Sequence, residues 1–207
     1  MRVQHPFEII TPTVDGDVLH VLASSHAEFT VSHLARLIPQ RSAAGIRNAV
    51  QRLTGQGIAS QHRVGQTSAF RLNDDHLAAP AVRQIAALKQ TLLSRLHDHV
   101  AMWHTPPRYG ALFGSASRDD MRESSDIDIV LVRPAQTPDA DWLPLLTSLT
   151  EQLTAWTGND ARIADIDEQD LGDPTLQTFM SEVLRDGLAF TDDHEWLHRT
   201  LRLSVSA

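Results

Sequence analysis

Cysteine is absent from the 207-residue sequence, which excludes disulfides and thiolate metal sites. No apolar run is long enough to span a bilayer, and no N-terminal stretch has the charge and apolar core of a signal peptide. The expected setting is therefore the cytoplasm, with no membrane partner. Repeats and low-complexity tracts are lacking too. Carboxylates are missing altogether from Thr30 to Asn73, although that stretch holds six arginines: Arg36, Arg41, Arg47, Arg52, Arg63 and Arg71. From Asp74 onward the balance reverses, with 22 Asp and Glu against 11 Lys and Arg, a local net of −11 beside −8 for the whole chain. One end suits a polyanion, and the other suits metals or repels DNA.

What remains is ordinary for a folded domain, 42% hydrophobic and 21% charged residues, with room for one large or two small domains. The chain is organised around the stretch from Phe113-Gly114-Ser115 to Ser125-Asp126-Ile127-Asp128-Ile129. Tyr109 to Phe113 and Ile127 to Val132 are apolar and bounded by polar loops, so both predict buried strands. Side chains alternate along a strand, which points Asp126 and Asp128 to one face and Ile127 and Ile129 into the core. Two carboxylates side by side repel each other and resist burial, and a cation between them is the natural compensation. Mg²⁺, or Mn²⁺, prefers carboxylate oxygens together with substrate phosphates. Gly114 has no Cβ and lets a polyphosphate approach the backbone, while Ser115 adds a hydroxyl and an N–H. Arg118 stands where it would neutralise a triphosphate oxygen, or else lies in solvent as a loop arginine.

Phe-Gly-Ser-x-x-Arg, a ten-residue gap after Ser115, then Asp-Ile-Asp-Ile, resembles the signature of the DNA polymerase β-type nucleotidyltransferases, in their small bacterial branch. The resemblance covers roughly the last hundred residues. It implies transfer of a nucleoside monophosphate from an NTP to an acceptor hydroxyl with two divalent metals. Gly114 and Ser115 match the phosphate-contacting pair, and Asp126 and Asp128 the metal ligands. Two positions depart from the branch, which usually carries an arginine directly after Gly-Ser and a glycine after the second arginine; here they are Ala116 and Asp119. The family also has a third carboxylate on the following strand, for the metal or for the acceptor proton. Ala161 to Ile166 is that strand by position: in one register Asp165 faces the site, and in the shifted one Arg162 does and the acid is absent. Asp165 is the favoured choice, because an acid flanked by apolar residues inside a strand is otherwise hard to place.

Toward the N-terminus, Met1 to Pro12 predict an extended lead-in, Gly16 to Ser24 a first helix, and Val31 to Ile38 a second with Thr30 as its N-cap. Ser42 caps a third helix, whose inner stripe is Ile46, Ala49, Val50 and Leu53. Two alternating segments around Val64-Gly65-Gln66-Thr67 read as a hairpin. This order resembles a winged helix-turn-helix domain, which implies DNA as a partner through residues 30–73. Arg47, Asn48 and Gln51 are then the base-edge candidates, with Arg41 and Arg63 on phosphates.

His76 to Met102 predicts a long helix that either connects the domains or pairs with its copy in a homodimer, and Pro106-Pro107 ends it. The expected fold class is α/β, of the α+β kind. A winged helix-turn-helix domain at 1–75 is followed by a connecting helix at 76–104. A small polymerase β-like domain with a mixed sheet and flanking helices takes up 105–207. His194-Glu195-Trp196-Leu197-His198 matches the zinc-protease pattern, but no His, Asp or Glu follows to supply a third ligand, and the segment reads as a packed terminal helix. Two functions follow. One is a nucleotidyltransferase acting on a protein, RNA or small-molecule hydroxyl. The other is a winged-helix transcriptional regulator, compatible with a toxin–antitoxin role, whose nucleotidyltransferase-like domain senses nucleotide or is inactive.

Overall fold

The structure, a computed structural model, describes residues 1–193 and 195–205. The chain divides into two compact units: His5–Lys89, and Met1–Gln4 together with Gln90–Ala207.

The first unit contains α1 (Val14–Ala23), β1 (Phe29–Thr30), α2 (Val31–Leu37), α3 (Ala43–Gly55), β2 (Ala59–Val64), β3 (Thr67–Leu72) and α4 (Ala79–Ala86). The expected caps are present. The Thr30 hydroxyl accepts from the His33 N–H at 3.2 Å, and the Ser42 hydroxyl from the Gly45 N–H at 3.1 Å. Val18, Leu22, Leu34, Ile46 and Val50 are fully buried and meet Phe70 and Leu72 of the hairpin. The strands are antiparallel in the order β1-β3-β2, and Gly65 makes the hairpin turn at φ +61°.

Two expectations fail here. Residues 1–12 are not simply an extended lead-in: a 3-10 turn at Pro6–Ile9 places Phe7 in the first unit's core, and Val3 is buried in the second's. The stretch from 76 to 102 is not one helix either, since α4 stops at Ala86 and α5 runs Leu88–Ala101. Ala79 and Val82 serve the first core, while Leu92, Leu96 and Val100 serve the second. Helical spacing of apolar residues is the same whichever core they enter, so periodicity alone cannot locate the break.

The second unit adds β4 (Tyr109–Phe113), α6 (Gly114–Ser117), β5 (Ile127–Arg133), α7 (Asp139–Thr157), β6 (Ala161–Asp167), α8 (Pro174–Asp186), β7 (Leu188–Ala189) and α9 (Trp196–Val205). Its sheet is mixed, in the order β6-β5-β4-β7. α7 makes the crossover that lets β6 lie parallel to β5, and the other pairs are antiparallel. Ile127, Ile129 and Leu131 join α5 and α7 on one face, while Val130 and Val132 join α8 and α9 on the other. Covering both faces explains the nearly unbroken apolar run of β5. In α9, Leu197 is fully buried and His198 exposed; His194 lies outside the described residues. No described helix is long and apolar enough to cross a membrane.

Gly110 in β4 has little room for a side chain: a Cβ there would stand 2.6 Å from Phe190 Cε2 and 3.0 Å from Leu131 Cδ2. Gly110→Ala is expected to destabilise the second unit by about 1–3 kcal/mol through overpacking. All four tryptophans lie in that unit, so urea unfolding followed by tryptophan fluorescence reads the effect directly. An unchanged midpoint would mean that Phe190 swings aside without cost.

Candidate active site

β4 and β5 run antiparallel, with Phe113 opposite Asp128 as the last pair before the chain turns. Gly114 makes that turn at φ +70°, in the left-handed region, and a Cβ on it would come within 2.7 Å of Asp128 Oδ2. Glycine is thus required twice, for the backbone conformation and for the approach of the carboxylate. The short α6 folds back on itself. Ser117 Oγ and the Arg118 N–H both donate to the Gly114 carbonyl, at 3.0 and 3.4 Å, and the Asp120 N–H donates to the Ser115 carbonyl at 3.1 Å. Asp119 takes φ +59°, so the backbone keeps a left-handed residue where the resembling branch has glycine; aspartate is among the side chains that tolerate it. Ala116 is fully buried in the core, which explains why no arginine stands there. Ser115 is half-buried beside it.

Asp126 and Asp128 come together, as the strand period predicts. Burial pushes the Asp128 carboxyl above its ordinary range, and the neighbouring Asp126 pushes it the same way, against the pull of Arg162 and Arg118. Arg118 thus acts on Asp128 through its charge, while its guanidinium lies 3.6 Å from Asp120 and also acts on Asp186. Among the described residues no three His, Asp or Glu side chains form a metal-holding group. The pair still fits a hard divalent cation whose remaining ligands are phosphate oxygens and water, since each carboxylate is costly beside the other until a cation joins them.

Asp165 is not the third carboxylate. In the parallel register Asp128 lies opposite Arg162, and Leu131 opposite Asp165, which puts Asp165 on the other face of the sheet. There its Oδ1 accepts from the indole N–H of the fully buried Trp142 at 2.8 Å. Arg162 takes the site position, and its Nη2 lies 2.7 Å from Asp126 Oδ2. The acid flanked by apolar residues has a structural explanation, the need of a buried indole for an acceptor. Trp142 in the preceding helix was the available signal.

In the first unit, Arg47, Asn48 and Gln51 share the exposed side of α3. Arg41 is paired with an acid of α1, its Nε 2.6 Å from Asp17. Arg63 donates to the Gly65 carbonyl across the hairpin turn at 3.2 Å. Arg52 is held in a fork by Asp15, at 2.6 and 3.1 Å. The stretch without carboxylates in sequence is therefore supplied with them in space, by the first turn of α1.

Residues 110–174 match the model of the nucleotidyltransferase domain family. No curated protein matches the chain. Two solved structures are similar over 55% of this chain and 84% of their own, each with a TM-score of 0.41. One, 15% identical, is described as a toxin-antitoxin with AMP-PNP, and the other, 13% identical, as a mutant of the toxin-antitoxin MntA-HpeT. Likeness at that level carries no functional argument.

The two aspartates on opposite faces predict opposite phenotypes. Asp165→Asn keeps an oxygen for the Trp142 indole and should leave Mg²⁺-dependent NTP binding intact, while Asp165→Ala should cost about 1–3 kcal/mol of stability. Asp128→Asn should abolish that binding yet raise the unfolding midpoint of the unliganded protein. An acid whose folded pKa is raised costs stability wherever it is ionised, and the cost vanishes only below its unfolded pKa. Loss of NTP binding in Asp165→Asn would return Asp165 to the site.

Proposed function

We propose that the second unit transfers a nucleoside monophosphate from an NTP to an acceptor hydroxyl. The observation that carries this reading is the packing of Asp128 against a left-handed Gly114, with Asp126 beside it, inside the segment that matches the nucleotidyltransferase domain. The acceptor oxygen attacks the α-phosphorus, a new P–O bond forms, the bond to the β-phosphate oxygen breaks, and pyrophosphate leaves. Asp126 and Asp128 would hold Mg²⁺ or Mn²⁺, which when bound neutralises charge on the triphosphate and the leaving group. Gly114 lets the phosphates approach the backbone, Ser115 offers its hydroxyl, and Arg118 supplies a positive charge at the mouth of the site. With Asp165 turned to the other face, the acceptor proton passes to solvent. Catalysis rests on positioning and charge neutralisation. Protein, RNA and small-molecule hydroxyls all suit such a site.

A second reading has its own support. Arg162 stands where the resembling family has an acid, and it already neutralises Asp126. A site filled in this way also suits a regulator that binds nucleotide without turning it over. In both readings the first unit binds DNA as a winged helix-turn-helix, supported by the exposed Arg47, Asn48 and Gln51 on α3.

Label from each α-labelled NTP, supplied with Mg²⁺ or Mn²⁺ and with lysate or total RNA, is expected to move onto one acceptor class. It should fail to do so in the Asp126→Asn/Asp128→Asn variant. Absence of transfer while NTP still binds would select the regulator. On promoter DNA in a gel-shift titration, Arg47→Ala and Gln51→Ala should each weaken binding by about tenfold. An unchanged shift in both would take α3 off the DNA.

A further inference from the structure

Arg162 is more than a substitute that fills a gap. Its side chain is 73% exposed, whereas that of its partner Asp126 is 23% exposed, so the guanidinium stands at the mouth of the site and the carboxylate further in. The ion pair uses Nη2, one end of a planar fork that carries five N–H donors. Pairs at such exposed positions are weak, about 0–1 kcal/mol, and exchange partners readily. Carboxylate and phosphate oxygens are alternative partners for the same fork.

Charge balance indicates when the exchange happens. Without a metal, Asp126 and Asp128 are offset by Arg162 and Arg118, the two arginines that act on Asp128. A divalent cation on Asp126 would take Arg162's partner and free the exposed guanidinium at the mouth of the site for a phosphate oxygen. Arg118 has competing acids in Asp120 and Asp186 and supplies only part of the positive charge a triphosphate needs.

We propose that Arg162 is a phosphate-binding residue that moves from Asp126 to the NTP triphosphate when a divalent cation occupies the carboxylate pair. The proposal rests on the NTP-binding reading above. It makes metal and NTP binding mutually dependent: metal alone must displace Arg162, and NTP rewards the displacement by giving the guanidinium a new partner. Arg162 therefore acts in opposite directions on the two ligands.

Calorimetric titration of the full chain tests this with Mn²⁺ alone, and with an α,β-nonhydrolysable NTP analogue in Mg²⁺. Arg162→Ala is expected to bind Mn²⁺ alone several-fold more tightly and the analogue about tenfold more weakly. Arg162→Lys, which keeps the charge without the fork, should lie between the parent and Arg162→Ala on both. Weakening of both ligands by Arg162→Ala would mark a structural role, and unchanged or tighter analogue binding would mark a plug or a surface pair; either overturns the proposal while the NTP-binding reading stands. A parent protein that binds no analogue at all would overturn that reading and the proposal with it.

Discussion

Burial of Asp128 beside a second carboxylate, Asp126, is the constraint to which the candidate site answers. The strand β5, covered on both faces, holds one carboxylate in the sheet and its neighbour just before it, and burial first, then the charge of Asp126, makes the Asp128 carboxyl resist ionisation. Everything near the pair works on that cost. Gly114 gives up a side chain so that Asp128 can sit against the backbone, and Arg118 and Arg162 bring positive charge from the adjoining loop and strand. A site of this kind keeps part of its stability in reserve until a ligand arrives, as functional sites commonly do.

The parallel pairing of β5 with β6 decides which side chains belong to that site. With side chains alternating at every residue, a shift of one position would exchange Arg162 and Asp165 for their neighbours, and a crossover helix can deliver either register. The register observed sends Asp165 to the Trp142 indole and Arg162 to Asp126. The same strand thus contributes a structural acceptor on one face and a charged group at the site on the other.

The first unit shows a related effect of folding on charge. Read along the chain, residues 30–73 hold arginines and no acids, yet the first turn of α1 places Asp15 and Asp17 against Arg52 and Arg41. Carboxylates there also favour the positive end of the α1 dipole, so their position suits α1 as well as the arginines. The exposed side of α3 keeps Arg47, Asn48 and Gln51 outside these pairs.

Local rules made much of the chain legible without its structure. Thr30 and Ser42 announced helix starts because a capping hydroxyl reaches only three residues ahead, and Gly114 with the Asp-x-Asp pair announced the site because strand alternation is also local. Where the alternatives differed by long-range packing, sequence was silent. The break between α4 and α5 depends on which of two cores claims each leucine, the partners of Arg41 and Arg52 come from a distant helix, and the choice between Asp165 and Arg162 depends on the register of two strands separated by α7. Such choices are made by contacts between residues far apart in the chain, and no pattern within a single segment records them.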